Sequence, residues 1–296
     1  MQPRLEGVTL AVLGGDTREV LLARKLVDAG CCVRAVALPL EESNQVTLCP
    51  DIPSALEGSK AVILPVPGIN ERGELYSVFS ERPLILSAEL LSALPGGTPV
   101  LVGVARKNLV DWVNECGLLL IEVMKRDEVA ILNSIPSAEG AIQMAMENSL
   151  ITIHDSKSLV IGFGRTGMTL ARKLKALHSI TTVVARSPVQ RARAMEMGIG
   201  AVDFSGLEAV AAEADFLFNT VPNQVIDGRV LSRVSKTVLI LDLASQPGGT
   251  DFEEAKRLGI RAILAPGLPG KVAPLTAGRI LADAIPRILA EELSLS

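Results

Sequence analysis

The sequence predicts an α/β protein made of two Rossmann-like, doubly wound parallel-sheet domains with an interdomain cleft. Three observations predict it. At 296 residues the chain exceeds what one hydrophobic core usually fills, so two domains are expected. Apolar residues make up 48% and aromatics only 3%, so the interior must be Leu, Val, Ile and Ala, as in sheets covered by helices on both faces. Short apolar runs also alternate with amphipathic helical patterns along the whole chain, which is the signature of βαβ units.

In chain order, strands are expected near Thr9–Leu13, Val33–Ala37, Ala61–Pro65, Leu84–Leu86, Val100–Gly103 and Leu118–Val123. A linking helix over residues 134–149 follows, capped by Ser134 or Ser137 with Pro136 in or near its first turn. Strands then resume near Leu159–Gly162, Thr182–Ala185, Ala201–Asp203, Phe216–Asn219, Val238–Asp242 and Ala262–Leu264. A last helix, about Pro274 to Leu293, is apolar at Ile280, Leu281, Ala284, Ile288 and Leu289. The expected domains are therefore 1–133 and 150–273, joined by 134–149, with 274–296 available to complete the first.

The opening strand-turn-helix recurs. Offset by 148 residues, "VLGGDTREVLLARKL" (Val12–Leu26) aligns with "VIGFGRTGMTLARKL" (Val160–Leu174), and Val36–Ala37 with Val184–Ala185. Duplication explains this, and so does chance among common helix residues; on either account the halves share one architecture.

The second copy has Gly162, Gly164 and Gly167 between a strand and a helix. The first permits a tight turn, the second lets a pyrophosphate approach the backbone, and the third permits close helix-strand packing. The helix N-terminus, with Arg165 and Thr166 in its first turn, offers unpaired N–H groups to phosphate. In the first copy Asp16 and Glu19 stand where the second and third glycines belong. Their carboxylates take the helix N–H groups and repel phosphate, and plain N-capping is the simpler role for Asp16. One half is thus expected to hold a dinucleotide and the other to face it with polar groups.

At the end of the second strand of the second half, Arg186 and Ser187 stand where NAD-binding versions carry an acid, with Arg191 and Arg193 close behind. An Arg there suits a 2′-phosphate, so NADP is the expected cofactor. Strand ends in open α/β sheets border ligands, which adds Thr220, Val221 and Pro222 of "NTVP", Asp242, Ala244 and Ser245 of "LDLASQPGG", and Gly267 of "APGLPG". As plain turns these loops would need only Pro and Gly.

The charge of −4, from 29 basic and 33 acidic residues, comes without a basic block, which argues against nucleic acid. No apolar run reaches the roughly 20 residues of a membrane span, and Met1–Gly7 is no signal peptide, so a cytoplasmic protein is expected. Cys31, Cys32, Cys49 and Cys116 lack CxxC spacing and only two histidines are present, so no metal is expected and buried thiols are the plain reading.

"GGDTRE" (Gly14–Glu19), "NSIPSAEG" (Asn133–Gly140), "GFGRTGM" (Gly162–Met168), "DLASQPGGTDF" (Asp242–Phe252) and "APGLPGKVAPLTAG" (Ala265–Gly278) together resemble, in this order, the A subunits of dipicolinate synthase from spore-forming bacteria. The resemblance spans nearly the whole chain. It implies an NADP-dependent oxidoreductase that converts a dihydrodipicolinate-type precursor to dipicolinate during sporulation, in the mother cell. It also implies a partner, the flavoprotein-like B subunit of dipicolinate synthase. A homo-oligomer is expected as well. Gln246 and Lys271 carry no catalytic weight in this reading.

Two substrate carboxylates need cationic or N–H partners, for which Arg18 and then Arg126 are the candidates, with a surface charge as the alternative for each. Ser134, Ser137 and Glu139 lie where the linker should face the cleft, unless Ser137 and Glu139 merely cap the helix. Asp16 and Glu139 are the candidate proton acceptors. A 2-hydroxy-acid or amino-acid dehydrogenase of the same build is the competing enzyme. The former would use a His as acid/base, and neither His154 nor His178 is well placed. An NADP-binding regulatory protein is the non-enzyme alternative.

Overall fold

The computed structural model describes residues 5–294. Its first elements are β1 (Thr9–Leu13), α1 (Thr17–Asp28), β2 (Cys32–Val36), β3 (Val46–Leu48), α2 (Ile52–Leu56), β4 (Ala61–Ile63), α3 (Ala88–Ser92), β5 (Pro99–Val102), α4 (Lys107–Glu115) and β6 (Leu119–Glu122). Next come α5 (Asp127–Glu147), β7 (Lys157–Ile161), α6 (Arg165–Ala176), β8 (Ile180–Val184), α7 (Pro188–Glu196), β9 (Gly200–Val202), α8 (Leu207–Ala211) and β10 (Phe216–Asn219). The chain finishes with α9 (Gly228–Leu231), β11 (Leu239–Asp242), α10 (Phe252–Arg257), β12 (Arg261–Leu264), α11 (Leu268–Val272) and α12 (Pro274–Glu292).

Two compact units result, residues 1–132 with 273–296, and residues 133–272. Each holds one six-stranded parallel sheet, ordered β3-β2-β1-β4-β5-β6 in the first unit and β12-β11-β10-β7-β8-β9 in the second. Numbered from its own first strand, each sheet has the same doubly wound order, reversing direction between β1 and β4 and between β7 and β10. Such reversals open a crevice at the carboxyl ends of the strands.

Strand side chains alternate between faces, so each central strand feeds two cores. In β1, Leu10 and Val12 join one apolar cluster while Ala11 and Leu13 join another. In β10, Phe216 and Phe218 lie on one face and Leu217 on the other. The expected apolar face of the last helix is in place: Leu281, Ala284, Ile288 and Leu289 pack with Leu22 and Leu26 of α1. Gly278 allows the close approach, since a β-carbon there would lie 2.8 Å from Leu21 Cδ1 and 3.1 Å from the Arg18 Cα.

Three expectations need correction. Leu84–Leu86 is not a strand; Ile85 makes only an isolated bridge to Glu74, and Leu86 is buried from a loop, so burial rather than sheet pairing explains the apolar run. The sixth strand is β3, three residues at the sheet edge with only Val46 buried, too short to show a period. The linking helix begins at Asp127, not at Ser134, and Pro136 lies in its interior. Asp127 and Glu128 in its first turn complement the helix dipole. Ser137 caps nothing: its hydroxyl donates to the Asn133 carbonyl at 2.9 Å, a turn back along the same helix.

Candidate functional site

The turn after β7 is built by its glycines. Gly162, at φ +93°, holds a conformation that L side chains rarely adopt, and its N–H donates to the Val184 carbonyl at 2.9 Å. A β-carbon on Gly162 would overlap Thr220 Oγ1, whose hydroxyl donates to the Ile161 carbonyl at 2.9 Å. One on Gly167 would overlap the Gly162 carbonyl oxygen. One on Gly164 would meet nothing within 4 Å, so at this point the backbone faces open space. Gly164 is also the N-cap of α6 and offers no side chain to its first amides. The turn has the form of an anion cradle, at a helix start that no side chain caps.

Gly162, Gly164, Arg165, Thr166, Gly167, Arg186, Thr220, Val221 and Pro222 all line one open groove of ≈ 640 Å³ in the second unit. Arg186 stands exposed at the end of β8, its guanidinium without a hydrogen bond or ion pair to any described residue. Six further groove residues lie outside the set expected from the sequence: Phe163, Ala185, Gln190, Phe204, Asn223 and Val225. Gln190 Nε2 donates to the Phe163 carbonyl at 3.0 Å and so ties α7 to the glycine turn. Phe204 and Val225 come from segments with no motif, so only the fold brings them in.

The other expected cofactor residues do not line this groove. Arg191 Nη1 donates to the carbonyls of Ala185 and Arg186, both at 2.9 Å, which spends that cation on the end of β8. Ser187 begins α7 without a side-chain cap bond. Asp242 is fully buried and accepts from Asn219 Nδ2 (3.0 Å), Ala244 N (3.1 Å), Gly249 N (2.8 Å) and Thr250 Oγ1 (2.6 Å). It therefore organises the loop that carries Ala244 and Ser245. Through Asn219, which also bonds Val221 N (3.0 Å) and Val221 O (2.9 Å), it shapes the loop of Thr220–Pro222 as well. Gly267, at φ +68°, makes the turn before α11.

The matching turn of the first unit starts the same way, with Gly14 N donating to the Val36 carbonyl at 2.9 Å, and then closes. Asp16 caps α1: its Oδ1 accepts from Arg18 N at 2.9 Å, while its own N–H donates to Glu19 Oε2 at 2.8 Å. The Arg18 guanidinium clamps the same Asp16 carboxylate through Nε and Nη2, at 2.9 and 2.8 Å. Glu19 Oε1 accepts from Val66 N at 3.0 Å. A loop lies over the turn, with Gly15 N donating to the Tyr76 carbonyl and Val78 N to the Gly15 carbonyl. Asp16, Arg18 and Glu19 are all buried. Burial pushes the Glu19 carboxyl above its ordinary range, against the pull of Arg18 and two amides. Burial also opposes the Arg18 charge, but the Asp16 hydrogen bonds and the nearby carboxylates outweigh it and raise that pKa.

The remaining candidates are engaged elsewhere. Arg126 bonds Glu292 at 2.9 Å on α12. Ser134 is buried with its hydroxyl 2.7 Å from Thr169 Oγ1. Glu139 is exposed and pairs with Lys173 Nζ at 2.7 Å. Lys173 lies eight residues past Arg165, roughly 12 Å along α6 from its glycine end at 1.5 Å per residue. Asp16 is locked in its cap. Among the described residues no helix is long and apolar enough to cross a membrane, and no cluster of three or more His, Cys, Asp or Glu is arranged for a metal.

Comparison with known proteins agrees with this fold. Residues 9–124 match the family model of the N-terminal domain of the dipicolinate synthase A subunit, and residues 124–245 that of the D-isomer specific 2-hydroxyacid dehydrogenase NAD binding domain. The dipicolinate synthase A subunit of Bacillus subtilis (strain 168) is 37% identical over 289 residues, covering 97% of each protein. Crystal structures of that subunit from Bacillus halodurans and Bacillus subtilis superpose with a TM-score of 0.92 and 37% identity, over 97% and 99% of this chain and 99% of theirs.

Proposed function

This chain belongs to the family of dipicolinate synthase A subunits, and on that premise we propose that it oxidises a dihydrodipicolinate-type dicarboxylate to dipicolinate with NADP, alongside a B subunit. Its coarser character needs no proposal: it is an oxidoreductase with a nicotinamide-dinucleotide-binding Rossmann unit. One observation carries the choice of NADP, namely that an open glycine cradle and Arg186, which pairs with no described residue, share one groove; the substrate and the B subunit rest on the family. Sporulation, in the mother cell, is the setting that follows from the same premise.

The residues fit the cofactor. The Gly164 backbone and the uncapped amides of α6 would hold the pyrophosphate, and Arg186 the 2′-phosphate. The apolar edges of Val221, Pro222, Phe204 and Val225 would flank the adenine side. When bound, the nicotinamide supplies the acceptor for the substrate's hydride. Loss of a hydride and a proton makes the ring aromatic, so much of the driving force resides in the substrate and the protein contributes chiefly positioning. Asp16 is buried in its pair with Arg18, whereas Glu139 is exposed beside Lys173, so the proton passes to Glu139 or to water.

The test is a reconstitution. The protein, a B subunit, NADP and dihydrodipicolinate should together produce an ultraviolet absorber with the spectrum of dipicolinate. No product from the complete mixture, with NADPH binding intact, would overturn the substrate assignment and leave the oxidoreductase.

A further inference from the structure

The loop that closes the first glycine turn borders an open hollow of its own. Between β4 and α3 the chain makes an excursion held by isolated bridges, Ile69 to Leu75 and Glu74 to Ile85. It bounds a space of ≈ 350 Å³ just past the carboxyl ends of β4 and β5, where Tyr76, Ser77 and Arg106 meet. The walls are fastened: Asn108 Nδ2 donates to the Asn70 carbonyl at 2.9 Å, and Tyr76 N to the Gly68 carbonyl at 3.2 Å.

One feature of this hollow is unexplained by the fold, and beside it stands an exposed cation. The Ser77 hydroxyl oxygen is buried without a hydrogen-bond partner, the one such side-chain atom among the described residues. A buried hydroxyl left unpaired is costly, and native proteins rarely keep one without a use. Arg106 lines the same space with no hydrogen bond or ion pair from its guanidinium to any described residue, and α4, which it precedes, has no side-chain cap. A cation in the hollow and an unpaired hydroxyl buried in its wall, which a ligand would have to turn inward, suit a carboxylate. Glu74 also lines the hollow, with Oε2 held by Asn70 Nδ2 at 3.1 Å. Its charge disfavours a second anionic group inside.

We propose that this hollow receives one carboxylate of the substrate, with Arg106 as its ion partner and the Ser77 hydroxyl as its hydrogen-bond donor, while the second carboxylate of a diacid stays outside. Naming the ligand as the dicarboxylate rests on the function proposed above; the carboxylate receptor itself does not.

Calorimetric titration of the full chain, saturated with NADP, tests both separately, with dipicolinate, picolinate and pyruvate as probes. Dipicolinate should bind at least tenfold more weakly to Arg106→Gln and threefold or more to Ser77→Ala. NADPH affinity should be unchanged in both variants. Without ligand, Ser77→Ala should melt no lower than the unaltered protein, because its hydroxyl bonds nothing there. Variants that bind dipicolinate as tightly as the unaltered protein would overturn the receptor and leave the substrate reading standing. Arg106-dependent binding of picolinate or pyruvate without dipicolinate would support the receptor and overturn the dicarboxylate. No binding of any probe would overturn both.

Discussion

Gly167 packs directly on Gly162, so that a β-carbon on Gly167 would occupy the space of the Gly162 carbonyl oxygen. Two residues of the same fingerprint thus serve contact between helix and strand end, while Gly164 between them faces open space. The distinction separates stability from binding. Gly167→Ala forces α6 away from β7 and should lower stability by about 1–3 kcal/mol, the usual cost of overpacking. Chemical denaturation measures it; an unchanged midpoint would contradict the packing.

Gly164→Asp places at the N-cap of α6 the residue that Asp16 supplies to α1. The new carboxylate should bond the first amides of α6 and hold or raise the melting temperature. It should also repel the pyrophosphate, weakening NADPH by a hundredfold or more in a fluorescence titration. Retained affinity would refute the idea that acids close the first turn to nucleotides.

Arg186 is exposed at the groove and pairs with no described residue, which predicts tighter binding of NADPH than of NADH. Arg186→Asp should reverse the preference, each tenfold change corresponding to about 1.4 kcal/mol. An unaltered ratio of the two affinities would remove Arg186 from the site.

Glu19 links the fold to pH. Its folded pKa is raised above the ordinary 4.5, so the folded state binds the proton more tightly than the unfolded chain. The resulting stability is complete below the unfolded value and is lost as pH rises through the raised folded value. The difference in unfolding free energy between the unaltered protein and Glu19→Gln should therefore fall as pH is increased from below 4.5. A flat difference would show that Glu19 ionises normally.

Asp242 accepts four hydrogen bonds while fully buried. Asp242→Asn sets an amide against some of these donors and should cost about 3 kcal/mol, since hydrogen bonds to a charged group are among the stronger ones. Urea denaturation would show this. Coenzyme affinity should fall too, because Asn219 and the Thr220–Pro222 loop lose their anchor.

These outcomes divide what was legible beforehand from what was not. The glycine turn could be read because its requirements are local: a positive φ at Gly162 and the absence of a β-carbon at Gly167 are set within six residues. The start of the linking helix at Asp127 is not legible in the sequence, because Pro136 and two serines look like a start signal. Only the packed structure shows Ser134 turned to Thr169 and Ser137 bonding back to Asn133. Glu139 likewise has a plain helical context in the sequence, and its partner Lys173 is 34 residues away.

Taken alone, the sequence determined the α/β class, eleven of the twelve strand positions, the open cradle at Gly162–Gly167 and its closed counterpart at Asp16 and Glu19. Periodicity, backbone conformation and capping are short-range properties, written in neighbouring residues. The tertiary structure alone decided which charges stay available. Glu19 meets Val66 across 47 residues and Asp242 meets Asn219 across 23, while Ser77 and Arg106, on separate segments, come to line one hollow. Whether a charged side chain is spent on the fold or left for a ligand depends on what long-range packing places beside it.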